Sequence, residues 1–356
     1  MEIFGAFHWG VIMEIKKING DLCHDKLFRE LKPKLTFSED LDFNEYRKTF
    51  KDKFLELIGY EDVVKNAGEH KITIEKTEEK DGYKQIRFTF ESEIGTIVPC
   101  YLLVPNGNKE KYPVVITLQG HSSGFHNSIG EPKDESENEY ALGRGQFAVQ
   151  AVKNGYVALA IEQRCMGERC TTRYKFSEFM CLFPAMRAIS LGRTVLAERI
   201  YDVQVAIDLL KEFPVCDTDK IVITGNSGGG TASFYASAVD ERIKISAPSC
   251  SFCTYKSSIF DIVHCSCNYI PNSAKWFEMQ DIASLIAPRN LIIIAGKKDK
   301  IFPIEGVREG FEVIKRIYKT ANAENNCSLV ETEKHHYWCE DLVFNAINKE
   351  VKKLGW

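Results

Sequence analysis

The sequence predicts an α/β fold in which a mostly parallel sheet is covered by helices on both faces. Two observations support this prediction. From about residue 112 onward, short apolar runs alternate with longer segments in which apolar residues recur every three or four positions. The short runs are apolar throughout, which is typical of strands that are buried on both faces. Together these patterns favour a doubly wound arrangement of strands and helices.

The chain before residue 95 has a different pattern. Residues 1–68 are predicted to be mainly helical, because aromatic and aliphatic side chains in residues 43–60 recur at helical spacing and form one apolar face. Residues 71–104 have the pattern of a strand meander with a turn at Asp81 and Gly82. We therefore expect an N-terminal segment, residues 1–94, that packs on a catalytic domain formed by residues 95–356.

The elements of the second part follow one another in a regular order. Predicted strands cover residues 114–118, 156–161, 221–224, 243–247, 290–295 and 328–331. Predicted helices cover residues 139–153, 194–213, 230–239, 304–321 and 340–354. Two aromatic-rich intervals, 165–190 and 251–281, follow the carboxyl ends of predicted strands, where open α/β sheets bind ligands. We expect these intervals to form cap-like insertions beside the site.

Composition excludes several classes of function. The chain has 356 residues with 44% hydrophobic and 27% charged residues, and a formal net charge of −4. This charge provides no basic surface for nucleic acid or for an anionic membrane. No apolar run approaches the roughly 18 residues of a transmembrane helix, and the charges around the N-terminal apolar run are the reverse of a secretory signal. We expect a cytoplasmic protein whose 12 cysteines are free thiols.

The stretch ITGNSGGGTA, residues 223–232, places Ser227 in a G-x-S-x-G motif between a strand and a helix. This is the sequence of a nucleophile elbow, in which small neighbours allow a tight turn and the serine is exposed above the sheet. We predict that Ser227 is the nucleophile and that the Gly228 amide stabilises the oxyanion. The second donor is expected from the loop after the first strand of the domain, at Gly120 or His121. A phosphate-binding loop is the alternative, but the chain lacks G-x-x-x-x-G-K-[ST].

A serine nucleophile needs a base and an acid that orients it. In this fold the chain order is serine, acid, histidine. Asp299 follows the predicted strand 290–295, and His335 and His336 follow the strand 328–331. We prefer His336 as the base because of its spacing to the next helix and to Trp338, while His335 remains the alternative.

Several motifs together resemble α/β-hydrolases of the acetyl xylan esterase and dienelactone hydrolase-like type. They are LQGHSSG, ALAIEQRCMGE, LGRTVLAERIYDVQVAIDLL, ITGNSGGGTA, HCSCNYIP, LIAPRNLIIIAGKKDKIFPIEG and the HHYW end, which lie within residues 95–356. The resemblance implies an α/β-hydrolase fold and ester hydrolysis by Ser227 and Asp299 with His335 or His336. It also implies that Arg164 lies near the site. Relatives usually have glycine before the catalytic histidine, and this chain does not, so the resemblance leaves the base open.

The expected activity is that of a serine carboxylesterase that requires no metal and no organic cofactor. The resemblance favours small acyl esters, foremost acetyl esters, of an oligosaccharide or another small molecule. A lactone or dienelactone-type hydrolase of a small metabolite is the second reading. Arg164, Tyr269 and Trp276 are the expected substrate contacts. Further aromatic residues of the two intervals are expected to wall the pocket: Tyr174, Phe176, Phe179, Phe183 and Phe277.

Two groups of cysteines raise an alternative from another class of protein. Cys250 and Cys253 form a C-x-x-C pair, and His264 precedes the C-x-C pair of Cys265 and Cys267. These soft ligands are suited to zinc and to a zinc-stabilised, non-catalytic binding module. However, the C-x-C spacing is tighter than that of usual zinc knuckles. We therefore expect these cysteines to pack inside a cap without a metal.

Overall fold

A computed structural model describes residues 20–170 and 180–356 of the chain. Residues 1–19 lie outside the described residues, as do the predicted pocket residues Tyr174, Phe176 and Phe179. The described chain divides after Lys32 into two units: residues 20–32 contain one helix, and residues 33–356 belong to a second, much larger unit. The predicted site residues all belong to the larger unit.

The larger unit is built on one nine-stranded sheet, with the spatial order β1-β2-β3-β5-β4-β6-β7-β8-β9. The strands are β1 (Thr73–Lys80), β2 (Tyr83–Glu93), β3 (Thr96–Pro105), β4 (Tyr112–Leu118), β5 (Val157–Ile161), β6 (Cys216–Asn226), β7 (Ile243–Ser249), β8 (Asn290–Gly296) and β9 (Cys327–Thr332). Strand β2 pairs antiparallel with both β1 and β3, and β3 also pairs antiparallel with β5. The strands from β5 to β9 pair in parallel, so the predicted mostly parallel sheet is confirmed.

Eleven α-helices accompany the sheet within the described residues. They are α1 (Leu22–Glu30), α2 (Phe43–Ile58), α3 (Tyr60–Val64), α4 (Asn138–Ala141), α5 (Phe147–Lys153), α6 (Leu182–Ser190), α7 (Val195–Leu209), α8 (Gly228–Val239), α9 (Ala283–Ile286), α10 (Ile304–Thr320) and α11 (Glu340–Lys353). None of these helices is long and apolar enough to cross a membrane.

The central strands are buried on both faces, and alternate residues belong to two separate cores. Ile221 and Ile223 of β6 pack with helices α2, α7, α8 and α10, whereas Val222 between them packs with α5 and α11. Because successive side chains of a strand point to opposite faces, each strand contributes to both cores. Each aliphatic side chain buried in this way contributes roughly 1.5–3 kcal/mol of transfer free energy.

Helix α2 packs on the back of the helix that follows Ser227. Asp42 caps its N-terminus by accepting hydrogen bonds from the Asn44 and Glu45 amides. Its Phe54 ring stacks on Tyr235 of α8, with 5.8 Å between the ring centroids. Strands β1 and β2 belong to the same sheet as the strands that follow them. The predicted boundary at residues 94/95 therefore falls inside the β2–β3 hairpin and does not separate two structural units.

The single helix predicted over residues 139–153 is wrong. The structure contains two shorter helices, α4 and α5, with a turn between them. Gly143 and Gly145 lie in this turn, and a Cβ at either position would approach a neighbouring oxygen to 2.7 Å. Glycine is the usual residue where the backbone approaches another group so closely.

Candidate active site

Ser227 lies at a sharp turn between β6 and α8. Its backbone has φ 56° and ψ −125°, a conformation that non-glycine residues rarely adopt. The turn is held by a hydrogen bond from the Ser227 amide to the carbonyl oxygen of Ser249, at 2.9 Å. Strain of this kind, held by surrounding structure, is characteristic of functional turns. Gly228 is the first residue of α8, so its amide belongs to the free N-terminal N–H groups of that helix.

The loop after β4 lies directly against this turn. A Cβ at Gly120 would be 2.7 Å from the Asn226 carbonyl oxygen and 3.1 Å from the Ser227 Cβ. A Cβ at Gly228 would lie 2.7 Å from Cε1 of His121. The absence of side chains at these two positions allows the loop and the turn to touch. The predicted oxyanion residues Gly120, His121 and Gly228 are therefore neighbours.

Asp299 and His336 form a hydrogen-bonded pair beyond the ends of β8 and β9. The His336 Nδ1 lies 2.8 Å from Oδ2 of Asp299. The other carboxylate oxygen, Oδ1, accepts hydrogen bonds from the amides of Ile301 (2.8 Å) and Phe302 (3.2 Å). The Phe302 ring stacks on the imidazole, with 5.9 Å between centroids. Both ends of the carboxylate are thus occupied, and the imidazole plane is fixed.

The neighbouring His335 is placed differently. Its ring is exposed, and its Nδ1 lies 3.1 Å from the carbonyl oxygen of Lys298. Of the two histidines, the structure brings only His336 to Asp299. Trp338 anchors the loop that carries them: it is fully buried, stacks on Phe147 with 4.1 Å between the ring centroids, and donates from Nε1 to Gln150.

The end of β7 connects the serine turn with the Asp299–His336 pair. Ser249 accepts the hydrogen bond from the Ser227 amide. The next residue is Cys250. Its Sγ lies within 4.8 Å of a carboxylate oxygen of Asp299 and of an imidazole nitrogen of His336. Since β6, β7, β8 and β9 are adjacent and parallel, all these residues lie at one edge of the sheet. This edge is where open α/β sheets bind their ligands.

Comparison with known proteins places this arrangement in a family. Residues 18–246 match the model of the Abhydrolase family. The chain belongs to the Abhydrolase family. This abhydrolase is also 27% identical over 243 residues to YtaP of Bacillus subtilis (strain 168), a protein provisionally named a hydrolase; the match covers 67% of this chain and 78% of YtaP.

Solved structures with low sequence identity share the fold. A Bacteroides fragilis NCTC 9343 protein, provisionally named an acetyl xylan esterase, has a TM-score of 0.80 at 16% identity and covers 94% of this chain and 95% of its own. A glucuronoyl esterase from Teredinibacter turnerae has a TM-score of 0.63 at 14% identity, with 91% and 89% covered. The predicted α/β-hydrolase fold of this abhydrolase is thus confirmed.

Arg164, which the sequence suggested as a substrate contact, forms ion pairs with three carboxylates of the fold. Its guanidinium pairs with Asp202 at 3.1 Å, Glu93 at 2.5 Å and Glu198 at 3.3 Å. Burial opposes the charge of Arg164, but these carboxylates outweigh burial and raise its pKa. These three ion pairs tie Glu93 of β2 to Glu198 and Asp202 of α7. The predicted contact of Arg164 with substrate stays a prediction.

The two aromatic residues predicted to contact substrate occupy different surroundings. The Trp276 ring lies under Lys34 and Lys53, whose ammonium groups are 4.9 and 4.3 Å from the ring centroid. Lys53 belongs to α2, so Trp276 packs against that helix. Its predicted contact with substrate stays a prediction. Phe277 is likewise buried, against Phe50 and Tyr255. Tyr269 is 37% exposed.

The cysteines do not group as their spacing in the sequence suggested. Cys250 lies beside Asp299 and His336, and Cys253 donates to the carbonyl oxygen of Pro303. His264 contacts the Ser258 hydroxyl at 2.9 Å. Burial lowers the pKa of this imidazole to about 4. The three residues that the sequence offered as zinc ligands together with Cys265 and Cys267 are therefore dispersed.

Cys265 and Cys267 instead meet two residues that sequence reasoning had not connected with them. These are the side chains of His121, from the loop after β4, and Cys181, just before α6. We call His121, Cys181, Cys265 and Cys267 the thiol–imidazole cluster. Sequence reasoning assigned His121 to the oxyanion hole without connecting its side chain to any cysteine, and it did not consider Cys181. Their contacts span 60 and 146 residues of chain, so no local motif could reveal them.

Proposed function

We propose that this abhydrolase is a serine carboxylesterase with Ser227 as nucleophile, His336 as base and Asp299 as orienting acid. The observation that carries the proposal is the Asp299–His336 hydrogen bond of 2.8 Å at the same sheet edge as a strained serine turn. A nucleophile, a base and a group that orients the base are the three parts that acyl transfer by serine requires. The His335 ring faces the Lys298 carbonyl oxygen, and no carboxylate of the described residues pairs with it.

In the proposed reaction, the imidazole Nε2 of His336 removes the Ser227 hydroxyl proton while Oγ attacks the ester carbonyl. The Nδ1–H of His336 donates to Asp299, which fixes the tautomer whose Nε2 can accept that proton. The amide of Gly228 and one amide from the loop at Gly120 and His121 stabilise the oxyanion. The imidazolium then protonates the leaving alcohol. Water, deprotonated by the same histidine, cleaves the acyl-enzyme and regenerates Ser227.

The substrate class is inferred from proteins of the same fold and from one exposed aromatic ring. Several proteins with the same fold are named for carbohydrate esters, among them an acetyl xylan esterase and glucuronoyl esterases. The exposed ring of Tyr269 offers a flat apolar surface two residues after Cys267, whose sulfur contacts His121 beside the serine turn. We infer a small acyl ester, foremost an acetyl ester, of a carbohydrate-like or other small alcohol.

Activity of Ser227→Ala and wild-type enzyme on p-nitrophenyl acetate tests the reaction class. We expect the variant to lose at least about three orders of magnitude in kcat/KM. Near-wild-type turnover by the variant would refute the proposal. A panel of acetylated sugars, glucuronoyl esters and lactones, compared by kcat/KM, tests the substrate class. A preference for lactones over all acyclic esters would favour the second reading of the sequence.

A further inference from the structure

The thiol–imidazole cluster has the donor set of a metal site. Its four potential metal ligands are three sulfurs and one imidazole nitrogen, and all four atoms lie within 4.8 Å of one another. The Nε2 of His121 is 3.5 Å from the Cys181 sulfur and 3.3 Å from the Cys267 sulfur. The Cys265 and Cys267 sulfurs are 3.4 Å apart. Three cysteines and one histidine are a usual ligand set of tetrahedral zinc sites.

The three separations just given are close to those of tetrahedral zinc ligands. With Zn–S bonds of about 2.3 Å and Zn–N bonds of about 2.0–2.1 Å, tetrahedral ligands lie about 3.8 Å apart for two sulfurs and about 3.6 Å apart for sulfur and nitrogen. The observed separations are slightly shorter. They are longer than the roughly 2.05 Å between the sulfurs of a disulfide, and all three cysteines are free. Four protein donors are the complete ligand set of a structural zinc site, which keeps no open coordination position.

The electrostatic surroundings also fit a metal. Arg199 is only 4% exposed, and its guanidinium donates to the sulfurs of Cys267 at 3.3 Å and Cys181 at 3.6 Å. Within residues 20–170 and 180–356, no carboxylate lies within ion-pair distance of Arg199. Its remaining hydrogen bonds go to the carbonyl oxygen of Arg164. A zinc ion with three thiolates and a neutral imidazole carries one negative charge, which this buried cation would balance.

We propose that the thiol–imidazole cluster binds one Zn²⁺ ion, with Arg199 as the positively charged group that hydrogen-bonds its thiolates. Binding would release the three thiol protons to solvent, because the thiolate is the ligand. The ion would join three separate segments: the loop after β4, the interval 165–190 through Cys181, and the interval 251–281 through Cys265 and Cys267. Mutation of a residue that hydrogen-bonds the ligands of a metal typically lowers the metal affinity about 10–100-fold.

This site would have a direct effect on the proposed active site. The His121 ring that would coordinate zinc through Nε2 lies against Gly228, and Gly120 lies against Ser227. Fixing the imidazole would therefore fix the backbone at Gly120 and His121 beside the serine turn. The ion would act as a positioning group and would not contact the substrate. The metal site can exist whether or not Ser227 is catalytic.

The test is metal analysis of the full chain, produced without added zinc and handled without chelators. We expect about one zinc per chain by plasma mass spectrometry, and an X-ray absorption spectrum with zinc–sulfur distances near 2.3 Å and zinc–nitrogen distances near 2.0–2.1 Å. Cys181→Ala should reduce the zinc content at least about tenfold. Cys253→Ala is the matched control, since Cys253 is a buried cysteine outside the cluster, and it should retain the metal.

A complementary measurement uses the wild-type chain and does not depend on whether a variant folds. Modification of thiols with a mercurial reagent, in the presence of a chromophoric chelator, should release zinc in a one-to-one ratio to protein. Folded, reduced protein that contains no stoichiometric metal and takes up neither Zn²⁺ nor Co²⁺ would overturn the proposal. Equal loss of zinc in Cys181→Ala and Cys253→Ala would also overturn it, because the ligands would then lie elsewhere. These readouts involve no turnover, so failure of the metal site and failure of the esterase proposal are distinguishable.

Discussion

Replacing Asp299 with asparagine should abolish most of the activity through the tautomer of His336. The Oδ1 of Asp299 accepts two backbone amides, from Ile301 and Phe302, and Oδ2 faces His336 Nδ1. In Asp299→Asn, the amide oxygen should remain in the Oδ1 position, because placing the NH₂ group there would leave two backbone donors unpaired, of which the Phe302 amide is buried. Each unpaired donor would cost about 1–3 kcal/mol.

The NH₂ group of the new asparagine must then face His336. It can only donate, so Nδ1 must become the acceptor and the imidazole proton must move to Nε2. An imidazole protonated at Nε2 cannot remove the Ser227 proton. The expected loss in kcat is about four orders of magnitude, as for the equivalent change in a serine protease, or roughly 5.4 kcal/mol in activation free energy.

Steady-state hydrolysis of p-nitrophenyl acetate measures this effect, and urea unfolding serves as the control for the fold. Since the two backbone hydrogen bonds are kept, the unfolding midpoint should change little compared with the activity. A variant that keeps more than about a tenth of wild-type kcat while folded would refute the argument that Asp299 determines the tautomer.

Separate replacement of the paired histidines should give unequal results: His336→Ala loses roughly four to six orders of magnitude in kcat, whereas His335→Ala keeps most of its activity. The reverse ranking would transfer the role of base to His335. Gly228→Ala should reduce kcat by up to about 10²–10³, the cost of losing one oxyanion donor. Alanine keeps the backbone N–H, but its Cβ would lie 2.7 Å from the His121 ring, and relieving this contact would displace the amide; unchanged kcat in a folded variant would contradict this contact. Burial raises the pKa of Asp281 to about 7. Because this folded-state value lies above the usual one near 4, the group contributes stability at low pH that is lost as pH rises through 7. The wild-type free energy of unfolding should therefore fall by roughly 2–3 kcal/mol from this group between about pH 5 and pH 8. Asp281→Asn should show a correspondingly shallower decrease in denaturant titrations at these two pH values, and an identical slope would disprove the assignment.

The central strands were predictable because their sequences are continuous apolar runs. The predicted strands at 243–247 and 290–295 differ from β7 and β8 by one or two residues at one end. The start of β6 could not be found in the same way. Its first five residues, from Cys216 to Lys220, are mostly polar, and they join the sheet because Tyr112 and Pro113 of β4 pair with them. Pairing of this kind is a tertiary effect that local periodicity does not contain.

The candidate site could likewise be predicted only where local sequence patterns identify its residues. Ser227 could be found because strand, tight turn and helix are contiguous in the chain, and Asp299 and His336 because they follow successive strands. The sequence favoured His336 over His335 only through its spacing to the next helix and to Trp338, whereas the contact with Asp299 distinguishes the two histidines directly. The sequence did not reveal the contacts of Arg164 and Trp276, because they involve neighbours far away in the chain, namely the acidic residues around the guanidinium and the lysines above the indole. The thiol–imidazole cluster was missed for the same reason.

Trapping the acyl-enzyme tests the central claim most directly. Protein quenched in acid during turnover of p-nitrophenyl acetate is digested, and the peptide that carries Ser227 is analysed by mass spectrometry. We expect one acetyl group on Ser227 in the wild-type enzyme and none at this position in Ser227→Ala. Turnover without an adduct on Ser227, or with the acetyl group on the neighbouring Cys250 thiol, would contradict the proposed mechanism.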